Sequence, residues 1–360
     1  MAHKLFWSLV IFLFIQPLAS AQNQKLEIVK IADGVYAAIY SELRVDPVEG
    51  NSLIVIGKDS VLVLDSGHSP DSARTMMAEI RKLTDKPVRY VVNSHWHDDH
   101  VYGNQAYQEA FPGVEFIAHR ATREDMIKQS IPNLKDYGID YWKKMAANLE
   151  SQLTKGTRQD GQPLSEQQKT RLQEQIQTIN LFVPKIQSLR IVLPTMTLED
   201  KLTLYQGDKG EREIQILNLG SGNTPGDVMV YLPKEKILAT GDMLVHPVPF
   251  AYGSAMAEWL ETMKKVRQLD ANIIIPGHGP LMRDKEYLDA VISLFESLIS
   301  QVRDAAKRGL SLEETRKAVN LESYRVRWAG DDPVRNGIFR SSLLQTAVEQ
   351  IYKAATTPAK

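Results

Sequence analysis

Residues 94–100 read SHWHDDH, and from His95 to His100 they gather three of the chain's eight histidines and two aspartates. The preceding run, VRYVVNSH (88–95), is apolar and β-branched and reads as a buried strand ending where the cluster begins. His95 and His97, two apart on a chain leaving a strand, project to the same side, and Asp99 and His100 follow on the next turn. Two ligand pairs therefore face two neighbouring positions. So many titratable groups packed together without a cation would carry a large desolvation and repulsion penalty, so the cluster predicts a metal site. Imidazole and carboxylate suit a borderline ion such as zinc, and two ions about 3.5 to 4 Å apart can act on one substrate.

Working outward, LEIVKIADGVYAAIY (26–40) and NSLIVIGKDSVLVLDSG (51–67) are β-rich, the second folding back at Gly57-Lys58-Asp59 as a hairpin. Ser69-Pro70 supplies an N-cap and first-turn proline for a helix through about Leu83, and VEFIAH (114–119) is a further strand after the cluster. Residues 121–187 are rich in Lys, Gln and Glu and predict a helical insertion. Trp142, Met145, Leu149 and Leu153 keep helical spacing, as do Leu172, Ile176 and Ile179, with KGTRQDGQP (155–163) between them, a pattern for an αα-hairpin that either roofs the site or serves as a solvated connector. Strands are expected at SLRIVL, REIQILNL, VMVYLP and KILAT (188–240), then a helix from Trp259 to Leu269 and a short strand in NIIIPGHG (272–279). From residue 286 onward the chain predicts a helical extension, with Tyr287, Val291, Leu294, Leu298 and Val302 on one face and Ser311 with Glu314 forming a capping box.

At 360 residues, 43% hydrophobic and 24% charged, with a formal net charge of −1, the chain lacks the basic excess of a nucleic-acid binder and the apolar bulk of a membrane protein. The first segment has a basic start at Lys4, an apolar run from Leu5 to Ile15 and Ala19-Ser20-Ala21 as a small-x-small cleavage site. Residues 1–21 thus read as a signal peptide, which predicts an exported protein, periplasmic or secreted, with no stable membrane insertion after cleavage. There is no cysteine, so no disulfide staples the exported chain and any metal must be held by nitrogen and oxygen.

His95-Trp96-His97-Asp98-Asp99-His100 resembles the HxHxDH signature of the metallo-β-lactamase superfamily, with Gly103-Asn104 close behind. Asp65 in LVLDSG resembles that family's first motif, TPGD (224–227) its third, TGDML (240–244) its fourth and PGHG (276–279) its fifth, all in order over residues 26–285. The resemblance implies an αββα sandwich, with the main domain over residues 22–285 and the metal cleft at the strand ends. It implies one metal position held by Asp99, His100, His278 and a bridging Asp242, with Asp65 supporting the ligands from behind. The other would be held by His95, His97 and a third imidazole, but Asn223 stands where that histidine is expected. An amide oxygen is a weak, neutral ligand for zinc, so one ion should be held tightly and a second weakly or not at all. His246, His119 and His68 are the nearest histidines by sequence that could compensate, His246 first.

The implied chemistry is zinc-dependent hydrolysis of a small molecule, with metal-activated water attacking a carbonyl in an ester, lactone, thioester or amide and Asp99 and His97 as catalytic groups. The aspartate at 242 points away from antibiotic hydrolysis, because β-lactamases of the family commonly carry Cys or Ser there, whereas export is expected of lactamases and lactonases. Two alternatives accompany this reading. One is a degenerate metal-binding protein without activity. The other, an iron-dependent dioxygenase, would need the histidine that Asn223 replaces.

Overall fold

The structure, a computed structural model, describes residues 25–41, 48–134, 139–158, 161–207, 210–252 and 254–357. The expected leader at 1–21 lies outside the described residues. Alternating and fully buried runs build two sheets. The first takes β1 (Leu26–Ala32), β2 (Val35–Tyr40), β3 (Ser52–Ile56), β4 (Val61–Leu64), β5 (Val88–Val92), β6 (Glu115–His119) and β7 (Met196–Leu198) in chain order. Its first four strands pair antiparallel, through hairpins, and β4 to β7 pair parallel. The second sheet holds β8 (Lys201–Gln206), β9 (Arg212–Leu217), β10 (Met229–Leu232), β11 (Ile237–Val245) and β12 (Ile273–His278), antiparallel except between β11 and β12.

The sheets face each other across one apolar layer. Val35, Leu53, Leu62, Leu64 and Val92 from the first meet Ile214, Ile216, Val230, Ile237 and Ile275 from the second. β4 is buried along its whole length, as a strand covered on both faces should be. Its other face packs on Ala73, Met76, Met77 and Ile80 of the helix Pro70–Leu83, whose N-cap Ser69 accepts a hydrogen bond from the Ser72 N–H, as the Ser-Pro pair predicts. The outer face of the second sheet is covered by the helices Met256–Gln268 and Glu286–Lys307 and by the C-terminal helices, through Trp259, Phe295, Leu298, Phe339 and Leu343. Helices thus flank two packed sheets, the αββα sandwich expected from the motifs.

The insertion is helical, and Trp142, Met145, Leu149, Leu172, Ile176 and Ile179 pack together between Ile139–Lys155 and Glu166–Ile186 as their spacing predicts. The box of Ser311 and Glu314 forms at the start of Leu312–Ala318. One expected strand is absent: SLRIVL (188–193) crosses from the insertion to β7 without pairing in a sheet. Side chains satisfy its backbone instead, the Arg190 N–H donating to Gln105 Oε1 and the Val192 carbonyl accepting from Asn104 Nδ2, while Leu189, Ile191 and Leu193 anchor in a separate apolar cluster. The strand signal was apolar content, which a buried connector shares. KLTLYQ (201–206), not anticipated, forms the edge strand β8. No helix among the described residues is long and apolar enough to cross a membrane.

Candidate metal centre

The loop carrying the histidine cluster leaves the buried end of β5 and is fixed before it reaches the site. The side chains of Asn93 and Asn104 exchange hydrogen bonds at 3.0 and 2.8 Å, and the Asn93 N–H donates to the Ile117 carbonyl. His95 and His97 leave this anchored strand end, and Asp99 and His100 lie on the short helix Asp98–Val101. Asp242 comes from the middle of β11 and His278 from the end of β12. Asn51, just before β3, ties the first sheet to the end of β12, its Nδ2 donating to the carbonyls of Pro276 and Gly279 at 3.0 and 2.8 Å.

All seven expected ligand residues converge. Two sets have ligating atoms within 4.8 Å of one another, His95 with His97 and Asp242, and Asp99 with His100 and His278. Asp242 stands between them and divides its oxygens. Its Oδ2 lies 3.7 Å from His95 Nε2 and accepts from Asn223 Nδ2 at 3.2 Å. Its Oδ1 lies 3.3 Å from His100 Nε2 and 3.5 Å from His278 Nε2. Asp99 Oδ2 is 3.1 and 2.9 Å from the same two nitrogens. A carboxylate with one oxygen on each side is the geometry a bridging ligand needs.

Asp65 sets the orientation of this centre. Its Oδ1 accepts from the Ser94 N–H at 2.7 Å, and its Oδ2 accepts from Ser94 Oγ and His100 Nδ1, each at 2.8 Å. With Nδ1 donating there, His100 turns toward Asp99 and Asp242 its Nε2, the nitrogen whose lone pair would ligate a metal. Asp65 adopts φ +62°, a left-handed backbone that costs a non-glycine residue free energy and recurs at functional sites. Gly277 permits the close approach of β12, since a Cβ there would collide with Asp242 Oδ1.

The electrostatics are those of a cation site. Burial opposes a charge on His100, but Asp99, Asp242 and Asp65 hold it well above the usual histidine range. Burial, then His100 and His97, push His95 well below that range. Three buried carboxylates around one point call for positive charge, which a divalent ion would supply. His100 Nε2, Asp242 Oδ1 and Asn223 Oδ1 are moreover buried without a hydrogen-bond partner. A buried imidazole nitrogen and carboxylate oxygen left unsatisfied 3.3 Å apart fit a zinc ion's donor preferences, and the neutral amide oxygen of Asn223 fits them less well.

The other histidines stand apart from both sets. The side chain of His119 caps the helix Arg120–Asp125 by accepting from the Ala121 N–H. His68 pairs with the Val48 carbonyl and Asp98 Oδ2 at 2.6 and 3.1 Å. Burial disfavours its charge, but Asp98, with Asp99 and Glu49, lifts its pKa to about 9. His246 lies against the Tyr287 ring, 4.8 Å between centroids. None of the three takes the position of the missing imidazole; Asn223 itself faces Asp242 there.

His97, Asp99, Asp242 and His278 open onto a cavity of about 380 Å³, walled by Tyr40, Val48, Trp142, Val248, Phe250 and Ile338 among others. The motifs did not reveal these wall residues, nor Asn51 and Ser94, because none belongs to a ligand pattern. The LVLDSG motif did point to Asp65.

A family model described as the metallo-beta-lactamase superfamily matches residues 45–278. The linear primary-alkylsulfatase of Pseudomonas sp. (strain ATCC 19151) is 23% identical over 316 residues, 82% of this chain and 53% of that protein. The chain thus spans about half the length of that curated relative. Among solved structures, the metallo-beta-lactamase from Pontibacter korlensis aligns with a TM-score of 0.53 and 20% identity over 76% of this chain and 99% of the other. The stereoselective inverting sec-alkylsulfatase Pisa1 from Pseudomonas sp. aligns with a TM-score of 0.62 and 16% identity over 92% of this chain and 50% of the other. At such identities the structural matches speak for the fold. The family match spans most of the chain and includes every residue of the metal centre, from His95 to His278. Fold, motif order and ligand geometry therefore agree that the chain belongs to the metallo-β-lactamase superfamily of metallo-hydrolases.

Proposed function

We propose that this protein is an exported, zinc-dependent hydrolase that cleaves an ester-type bond in a small molecule. The observation that carries the reading is the convergence of His97, Asp99, Asp242 and His278 on a cavity large enough for a small molecule, with the unsatisfied His100 Nε2 and Asp242 Oδ1 buried 3.3 Å apart beside them. Asp99, His100, His278 and Asp242 would hold the tighter ion, and His95, His97 and Asn223, with the other oxygen of Asp242, the weaker one. Zinc bound there supplies Lewis-acid polarisation of the scissile group and acidifies water.

The chain's own groups orient and move protons. Asp65 holds His100 in one tautomer, and Asp242 keeps the two ligand sets in register. Asp99 and His97 border the cavity, where each can take a proton from attacking water or return one to the leaving group. The bond class is that of carboxylic esters, lactones, thioesters and amides, widened to sulfate esters by the alkylsulfatase among the relatives. Export is supported by the leader at residues 1–21.

The test is turnover by the zinc-loaded mature chain on alkyl sulfates, p-nitrophenyl esters, lactones and thioesters, beside an Asp99→Asn variant. Hydrolysis of at least one class, lost by more than a hundredfold in the variant, is expected. A fully loaded protein inert across the panel would support the second reading, a metal-binding protein without catalysis. The asparagine at 223, in place of an imidazole, is the observation that favours it.

A further inference from the structure

The family match ends at His278 and the cavity does not. Part of its wall comes from the helical insertion, which lies inside the matched range, and part from the C-terminal extension, which lies beyond it. The helix Ile139–Lys155 of the insertion contributes Tyr141 and Trp142, and the C-terminal helix Pro333–Ile338 contributes Val334, Arg335 and Ile338. Val245 at the end of β11, with Val248 and Phe250 after it, adds apolar lining nearby. The ligand groups His97, Asp99, Asp242 and His278 sit at the metal end, while Asp332 and Arg335 bring charge to the tail wall.

Both added walls are braced. Trp142 packs edge-on against Phe182 at 5.4 Å between centroids and lies half-buried between two apolar clusters. The tail wall is capped by Asp332, whose side chain accepts from the Val334 and Arg335 N–H groups at 2.9 and 3.1 Å. Directly after it, Phe339–Ala347 forms a π-helix, an element common at functional sites, with Phe339 and Leu343 fully buried. Ser342 on that helix donates to the Pro249 carbonyl at 3.0 Å and accepts from the Ala251 N–H at 2.7 Å. The tail thereby fixes the loop that carries Val248 and Phe250. An apolar wall held this firmly is preorganised for an apolar occupant, because little side-chain freedom is lost on binding.

We propose that Trp142 and Ile338 are specificity-determining residues of a subsite for an aliphatic chain, and that the substrate is an amphiphile with its scissile head at the metal centre and its alkyl chain between the insertion and the C-terminal helix. The turnover part of this inference rests on the hydrolase reading; the binding part does not. Each methylene buried in such a subsite strengthens binding by about two- to fourfold until the cavity is full.

Two series on the zinc-loaded full chain test the subsite. One is the Kd, by calorimetry, of non-hydrolysable n-alkyl sulfonates of four to ten carbons below their micelle concentrations. The other is kcat/KM for p-nitrophenyl esters over the same lengths. In the native protein both are expected to improve with length. Trp142→Ala and Ile338→Ala should each lower the ratio of ten-carbon to four-carbon affinity about tenfold. Leu181→Ala, at an exposed residue away from the cavity, should leave that ratio unchanged. If an alanine variant fails to fold, Trp142→Phe and Ile338→Val should give a smaller loss in the same ratio. A flat binding series in the native protein, or a steep one untouched by both substitutions, overturns the subsite. A steep binding series with no turnover on any ester keeps the subsite and overturns the hydrolase reading; turnover with a flat series does the reverse.

Discussion

Replacing Asp65 by asparagine isolates the group that orients the metal centre. The left-handed backbone at φ +62° suits asparagine as well as aspartate, so the substitution adds no backbone strain. The Ser94 N–H, 2.7 Å from Oδ1, can only donate, so the new amide must turn its oxygen there. Its NH2 then occupies the place of Oδ2, 2.8 Å from His100 Nδ1. That nitrogen is forced to accept, and the ring proton moves to Nε2, 3.1 Å from Asp99 Oδ2 and 3.3 Å from Asp242 Oδ1. A protonated Nε2 donates to the carboxylates and cannot ligate a metal. Loss of such an orienting partner weakens metal binding about 10- to 100-fold, or about 1.4 to 2.8 kcal/mol at the usual conversion. Zinc affinity measured by competition with a chromophoric chelator reads this directly, with urea unfolding of the same sample as the check that the variant is folded. A folded Asp65→Asn protein that binds zinc within twofold of the native affinity would refute the tautomer argument.

Three further outcomes follow from the same geometry. Asn223→His, restoring an imidazole beside His95 and His97, should raise the zinc content of protein purified without chelator from near one toward two per chain; unchanged stoichiometry in elemental analysis would count against a first position weakened by the amide. Gly277→Ala places a methyl group against Asp242 Oδ1 and the Gly241 carbonyl carbon, and should cost about 1 to 3 kcal/mol in urea unfolding together with a loss of bound metal. A variant as stable and as metal-loaded as the native chain would mean that β11 and β12 can part without cost. Stripping the metal with a chelator should lower Tm by about 3 to 5 °C if zinc is present at about a hundred times its Kd, with recovery on adding zinc back; an unchanged Tm would show that the ligand cluster holds no ion.

Much of this protein was legible along the chain because the signals are local. The spacing of His95, His97, Asp99 and His100 is set by a strand end and the turn after it, and Ser69-Pro70, Ser311 with Glu314 and the apolar spacing of the insertion helices act within a few residues. Where only apolar content was available, at SLRIVL, a strand and a buried connector could not be told apart, because the distinction lies in which partner satisfies the backbone. The motif order pointed to Asp242 and His278, but not to how Asp242 shares its oxygens between two ligand sets, nor to whether another histidine stands in for the missing imidazole. The fold answers that none does, His119, His68 and His246 being held by a helix cap, Asp98 and Tyr287. The cavity was least visible of all, since its wall joins Tyr40, Trp142, Phe250 and Ile338, which no shared pattern marks. By itself the sequence determined the ligand types, their spacing and the sandwich that carries them; the tertiary structure alone decided their convergence and the cavity above them, because residues as far apart as Asn51 and Pro276 meet only once two sheets have packed.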